Sequence, residues 1–201
     1  MHEHSLNGVI HVFAVFCALA GERREEAARL VETYLSGTLG LRRTDVSFGL
    51  LGDLLELYAG PADSAAMEKG VQGVCSRLDS LLSSDEKQAF LLHALHIRHA
   101  LPDPGGRADG LIQQVASAFR VPESELAAWR QFVAADSKTP DSPLCRRFSR
   151  EGWRAEAMAL HSPWTGRLFI RLLSGWISLD ENPLEPGRFY SLESGAILRD
   201  S

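Results

Sequence analysis

Three features of the sequence predict a mainly α-helical protein, a bundle of about seven helices followed by a small antiparallel β segment. Apolar residues recur at helical spacing as far as about residue 135. Pro- and Gly-containing breaks, such as Gly60-Pro61, divide that periodicity into helix-length pieces. After a polar stretch with two prolines, Asp136 to Pro143, the apolar runs become short and alternating. The organisation expected is therefore a helical domain over 1–135, a linker over 136–143 and a small β-rich segment over 144–201.

The first helix is read from Val9 to Ala20, a twelve-residue apolar run. No Lys or Arg precedes it and no small-residue cleavage pattern follows it, so a signal peptide is disfavoured. It is too short to span a bilayer, and a buried helix is the better reading. Glu22–Leu39 makes a hairpin with it through Gly21, with Ala27, Leu30, Val31, Tyr34 and Leu35 on one face. Ser47–Tyr58 and Ala62–Leu82 follow as the third and fourth helices.

The stretch from Ser83 to Val133 supplies three more. Ser83 with Glu86 three residues on fits a capping box for a helix that runs to about Ala100. A Pro/Gly turn over 101–107 leads to a helix from Asp109 to Phe119. Pro122 opens the next, in a first turn where its missing N–H is no loss. Beyond the linker, Arg167–Leu173, Trp176–Leu179, Phe189-Tyr190 and Ala196–Leu198 read as strands separated by turns. The last of them reaches almost to Ser201, and the β segment reads as cut short, the front of a longer chain.

Composition narrows the function classes. With 201 residues and a net charge of −5, the composition argues mildly against binding nucleic acid, which needs a concentrated basic surface; the basic pairs Arg42-Arg43 and Arg146-Arg147 are short and read as solvated faces. Cys17, Cys75 and Cys145 have neither metal spacing nor the even count of a disulfide framework, which fits a cytoplasmic setting. No nucleophile–base signature or phosphate loop occurs, so no catalytic residue is assigned and the chain is read as a non-enzyme. No cofactor is expected, with one exception: a divalent metal. His93, His96 and His99 lie at i, i+3 and i+6 on one helix, and Asp103 and Asp109 follow in the next turn. His93, His96, Asp103 and Asp109 are the candidate ligands. The competing reading is that one His faces the helix C-terminus and the aspartates start the next helix. His99 and Arg107, with Trp153, Trp164 and Trp176 from the β segment, are candidates for a protein-contact face. The better reading of the aromatics is as the core of a small sheet, which needs large side chains to be stable.

Two helical hairpins of similar pattern carry a family resemblance. They are Phe13–Gly21 leading into Glu25–Val31, and Leu91–Leu95 leading through Pro102–Gly106 into Leu111–Phe119, with Val121–Leu126 closing the unit. This arrangement resembles the TerB-like domains of tellurite resistance. That family's Asp-Gly and later Glu, associated with metal, are absent from both turns here. The tail, from Gly152-Trp153-Arg154 through Leu168–Leu173 to Ile177–Leu192, is similar to the segment after the TerB-like domain in large bacterial ATP-binding-cassette membrane proteins, where a forkhead-associated-like β region begins. The resemblance implies an N-terminal cytoplasmic interaction or regulatory module of such a transporter. Its partner would be another protein or the rest of its own longer chain. It would be membrane-associated through that chain, without direct insertion. The alternative it implies is a free-standing TerB-like protein of metal binding or tellurite and stress response.

Overall fold

The computed structural model describes residues 3–42, 44–58, 64–101, 105–148 and 154–200. Seven α-helices precede the strands among them: α1 (Glu3–Leu19), α2 (Arg24–Gly37), α3 (Val46–Leu57), α4 (Ser64–Leu81), α5 (Ser84–Ala100), α6 (Arg107–Ala118) and α7 (Glu123–Ala134). Helices followed by a small antiparallel sheet region is the fold class the sequence predicts. The chain divides by contact into two units, Met1–Val121 and Pro122–Ser201.

The first unit is arranged around α1. Val9, Ile10, Val12, Phe13, Ala14, Val15, Phe16 and Cys17 are all buried and His11 between them is half-buried, so the central turns of the helix are covered on nearly every side. Helices α2, α3, α4, α5 and α6 all pack against it. A helix apolar all round can be stable in water only as an interior element. The helix starts earlier than its apolar run, at Glu3, and its first turns carry His4 and Asn7. Rings interlock across the core: Phe13 lies 4.8 Å from Phe90 and 5.2 Å from Tyr34, and Phe90 lies 6.0 Å from Phe119. Each such side chain contributes roughly 1.5–3 kcal/mol through burial. Cys17 and Cys75 belong to this core, and burial pushes both thiols up to about 12, which leaves them unreactive.

Helix termini follow local chemistry. The capping box at Ser83 is present, the hydroxyl accepting from Glu86 N–H while the Glu86 carboxylate accepts from Ser83 N–H. Helix α6 starts at Arg107, two residues before the expected Asp109, behind Gly106 in the left-handed region. Pro122 is the N-cap of α7, one place ahead of the first-turn position expected for it. Asp79 on α4 accepts from Lys87 at 2.7 Å and from Arg120 at 3.1 Å, tying α4 to α5 and to the end of α6. Together these two bonds hold its carboxyl below the usual range.

In the second unit, α7 packs on an antiparallel sheet of order β1-β2-β3-β6: β1 (Cys145–Phe148), β2 (Glu156–Ser162), β3 (Arg167–Ser174) and β6 (Phe189–Leu192). A second sheet has the order β5-β4-β7, from β5 (Asn182–Pro183), β4 (Ile177–Leu179) and β7 (Leu198–Asp200). The helix therefore belongs with the strands, and the units divide before α7 rather than at 136–143. Alternation explains why: Met158, Leu160 and Phe169 share one face of the sheet, while Ala157, Ile170 and Leu172 share the other. The second face makes a core with Ala155, Ile177 and Leu184, bordered by Tyr190, Leu192 and Leu198. Burial of both faces makes β3 the near-continuous apolar run Leu168–Leu173.

The turn from β4 to β5 places Asp180 and Glu181 at φ 48° and 70°, the two-residue geometry whose twist suits a hairpin. Gly175, between β3 and β4, has φ +80°, and a Cβ there would stand 2.6 Å from Ala155 Cα and 2.7 Å from Arg154 O. Gly166, in the turn from β2 to β3, has φ +72° and open space around it. Gly175→Ala is therefore expected to unfold the second unit or cost more than about 3 kcal/mol, against about 1 kcal/mol of backbone strain for Gly166→Ala. Urea titration followed by tryptophan fluorescence checks this; equal costs would show that the close approach at Gly175 is unimportant.

Candidate functional site

The predicted metal ligands belong to the first unit, and two of them hold helices together. His93 sits on α5 in phase with Phe90 and Ile97, so its ring is directed into packed structure. Its Nδ1 donates to the Ala89 carbonyl at 2.7 Å, and Nε2 then accepts from the Thr38 hydroxyl at 3.2 Å. The ring lies 4.1 Å from that of Tyr34. Burial, with a smaller repulsion from His96, drives its pKa down to about 3, so the ring is neutral. Asp109 on α6 accepts from Arg98 Nη2 and Nε at 2.7 and 3.0 Å, an α5–α6 tie. Asp103 lies outside the described residues. Among the described residues no group of three or more His, Cys, Asp or Glu could hold a metal ion. The structure therefore does not assemble His93, His96 and Asp109 into such a group; packing and an ion pair use His93 and Asp109 instead.

The contact candidates separate in the same way. His99, in the last turn of α5, and Arg107, opening α6, are exposed. Arg107 borders a cleft of about 180 Å³ with Val15, Leu19, Met67, Gly110, Leu111 and Gln114. Trp153 lies outside the described residues. Trp176 is 43% exposed beside β4. Trp164 is half-buried, its ring 5.7 Å from that of Trp129, and so it contributes to the packing of α7.

Sequence reasoning missed the most elaborate polar site. Glu125, in the first turn of α7, is 3% exposed. Its Oε2 accepts from Trp129 Nε1–H at 3.0 Å and from the Ser162 hydroxyl at 2.9 Å, and its Oε1 accepts from Trp164 N–H at 2.7 Å. At the other end of the helix, Arg171 on β3 donates from Nη1 to the carbonyls of Ala135 and Phe132 at 2.9 and 3.3 Å. Burial lowers the Arg171 pKa from its ordinary value. One carboxylate and one guanidinium thus fasten α7 to the strands at both ends. The signal was available in the sequence: Glu125, Trp129 and Phe132 stand at i, i+4 and i+7 on a single stripe.

Compared with protein-family models, with curated proteins and with solved structures, the chain matches none of them.

Two expectations follow. Glu125→Ala leaves two buried donors and one part-buried donor without an acceptor and is expected to cost about 3 kcal/mol or more, whereas Glu125→Gln, which keeps an oxygen, is expected to cost about half as much. Trp129 and Trp164 report the unfolding directly. For His93 the folded pKa, about 3, lies below the ordinary 6.5. Its contribution to stability is thus complete above pH 6.5 and is lost as the pH falls from 6.5 toward 3. Between pH 7.5 and 5.5 the wild type should lose about 1 kcal/mol more than His93→Gln, measured by urea unfolding. Parallel curves would contradict the neutral, enclosed ring.

Proposed function

We propose that the chain is a non-catalytic interaction module, the TerB-like cytoplasmic front of a bacterial ATP-binding-cassette-type membrane protein, and that it acts by contact with a protein or with the rest of its own longer chain. The observation that carries the contact reading is α3. Of its twelve residues only Leu51 is buried, while Val46 and Leu57 are 88% and 69% exposed. Phe48, Leu50, Leu54 and Leu55 are half-buried, so the helix is only partly covered, and the exposed Val46 and Leu57 at its two ends offer apolar side chains that a partner could cover. In the second unit Phe148, Leu168, Trp176 and Ile197 add exposed apolar side chains. No helix among the described residues is long and apolar enough to cross a membrane, which agrees with attachment through other segments. The transporter assignment itself rests on the resemblance of the helical hairpins and of the β segment.

An antibody raised against this chain tests the reading in cells that express it natively. The expected result is a band several times heavier than 22.1 kDa that pellets with membranes. Val46→Asp together with Leu57→Asp should abolish co-purification of its partner segment and leave the melting temperature within about 2 °C, since both side chains are already in water. A soluble band of the chain's own mass would overturn the transporter reading and favour a free-standing stress-response or metal-binding protein.

A further inference from the structure

Between the N-terminal half of α1 and the C-terminal half of α4 lies a cleft of about 490 Å³, within the range of small-molecule pockets. His4, Asn7, Gly8 and His11 line it from α1, and Val74, Arg77, Leu78 and Leu81 from α4. The spacing on both helices is i, i+3, i+4 and i+7, so each presents one continuous stripe to the cleft. The stripes differ in chemistry. Apart from Gly8, the α1 side is imidazole, amide and imidazole; the α4 side is aliphatic and carries one guanidinium. A Cβ on Gly8 would come within 2.8 Å of the Leu78 side chain, so the helices approach closely there and the cleft has a floor. His11 is fixed in the wall by a 2.8 Å bond between its Nε2 and the hydroxyl of Tyr58, at the end of α3.

From this lining we infer that the cleft binds a small organic anion with an apolar body, its anionic head on Arg77 and the polar α1 stripe and its body along Val74, Leu78 and Leu81. Arg77 is exposed and forms an ion pair with no described residue. No carboxylate is among the described lining residues. The Arg77 charge reaches His11, whose pKa is lowered first by burial and then by that guanidinium. An unneutralised positive field beside hydrogen-bond donors is what a carboxylate or phosphate head requires. Leu81, 46% exposed, offers the body an apolar edge that is otherwise in water. This inference stands apart from the proposed contact through α3, and either can fail without the other.

Calorimetric titration of the full chain with octanoate, octyl phosphate, inorganic phosphate and 1-octanol tests it. Octanoate or octyl phosphate should bind, more tightly than inorganic phosphate or octanol, and Arg77→Ala should weaken that binding about tenfold. Arg77 is exposed, so the variant's thermal melt should match the wild type. Sedimentation with phosphatidylglycerol vesicles that Arg77→Ala abolishes would identify the source of the head as a lipid. Octanoate binding without such sedimentation would identify a free acid. Octanol binding as tightly as octanoate, unchanged affinity in Arg77→Ala, or no binding of either amphiphile would overturn the site.

Discussion

A helix that is apolar on every side must be covered on every side, and the first unit is the solution to that constraint. Val9 to Cys17 bury almost without interruption, and five helices pack against them. The aromatic contacts from Tyr34 through Phe13 and Phe90 to Phe119 run outward from this axis. Polar ties such as Arg98 to Asp109 and Lys87 to Asp79 lie on the periphery and align helices that the core has already brought together. Partly exposed ion pairs of this kind contribute little individually. Their value is in orientation.

The second unit solves a different problem. Helix α7 covers one face of a four-stranded sheet, and its apolar stripe alone would allow it to slide along that face. Glu125 and Arg171 remove that freedom. The carboxylate accepts from the helix, from the end of β2 and from the turn after it, while the guanidinium donates to the carbonyls of Phe132 and Ala135 at the helix C-terminus. A carboxylate buried with three donors is tolerable because each lone pair it uses is matched. The same matching makes it a device for register as much as for stability.

The helices were legible because their signal is long. Apolar periodicity with caps and breaks located all seven to within a few residues, the first excepted: α1 begins six residues before its apolar run. The strands were harder. Cys145–Phe148 and Glu156–Ser162 gave no strand signal, because Glu156-Ala-Met-Ala-Leu160 consists mostly of good helix formers. Pairing between β1 and β3 imposes the extended form on β2, against local preference. The division before α7 was invisible for a related reason. A polar two-proline stretch looks like a boundary, yet the apolar stripe of α7 finds its partner across that stretch, on β1 and β2.

The candidate metal residues show where residue-type reasoning stops. A histidine in phase with Phe90 and Ile97 on one helix face is in packed structure, and an aspartate one helix away from Arg98 pairs with it. In both cases folding has used the polar group before any ligand could. The surfaces that folding leaves over are of another kind: the uncovered apolar residues of α3, and a cleft whose guanidinium has no described partner. Both suit recognition better than bond-making chemistry, since α3 pairs its apolar ends with only the two exposed carboxylates Asp53 and Glu56, and the cleft combines imidazole, amide and guanidinium groups with an aliphatic wall. On physical grounds His93 of α5 and Asp109 of α6 belong to the architecture, and the recognition proposed for this chain rests on parts of α1, α3 and α4 that the core did not need.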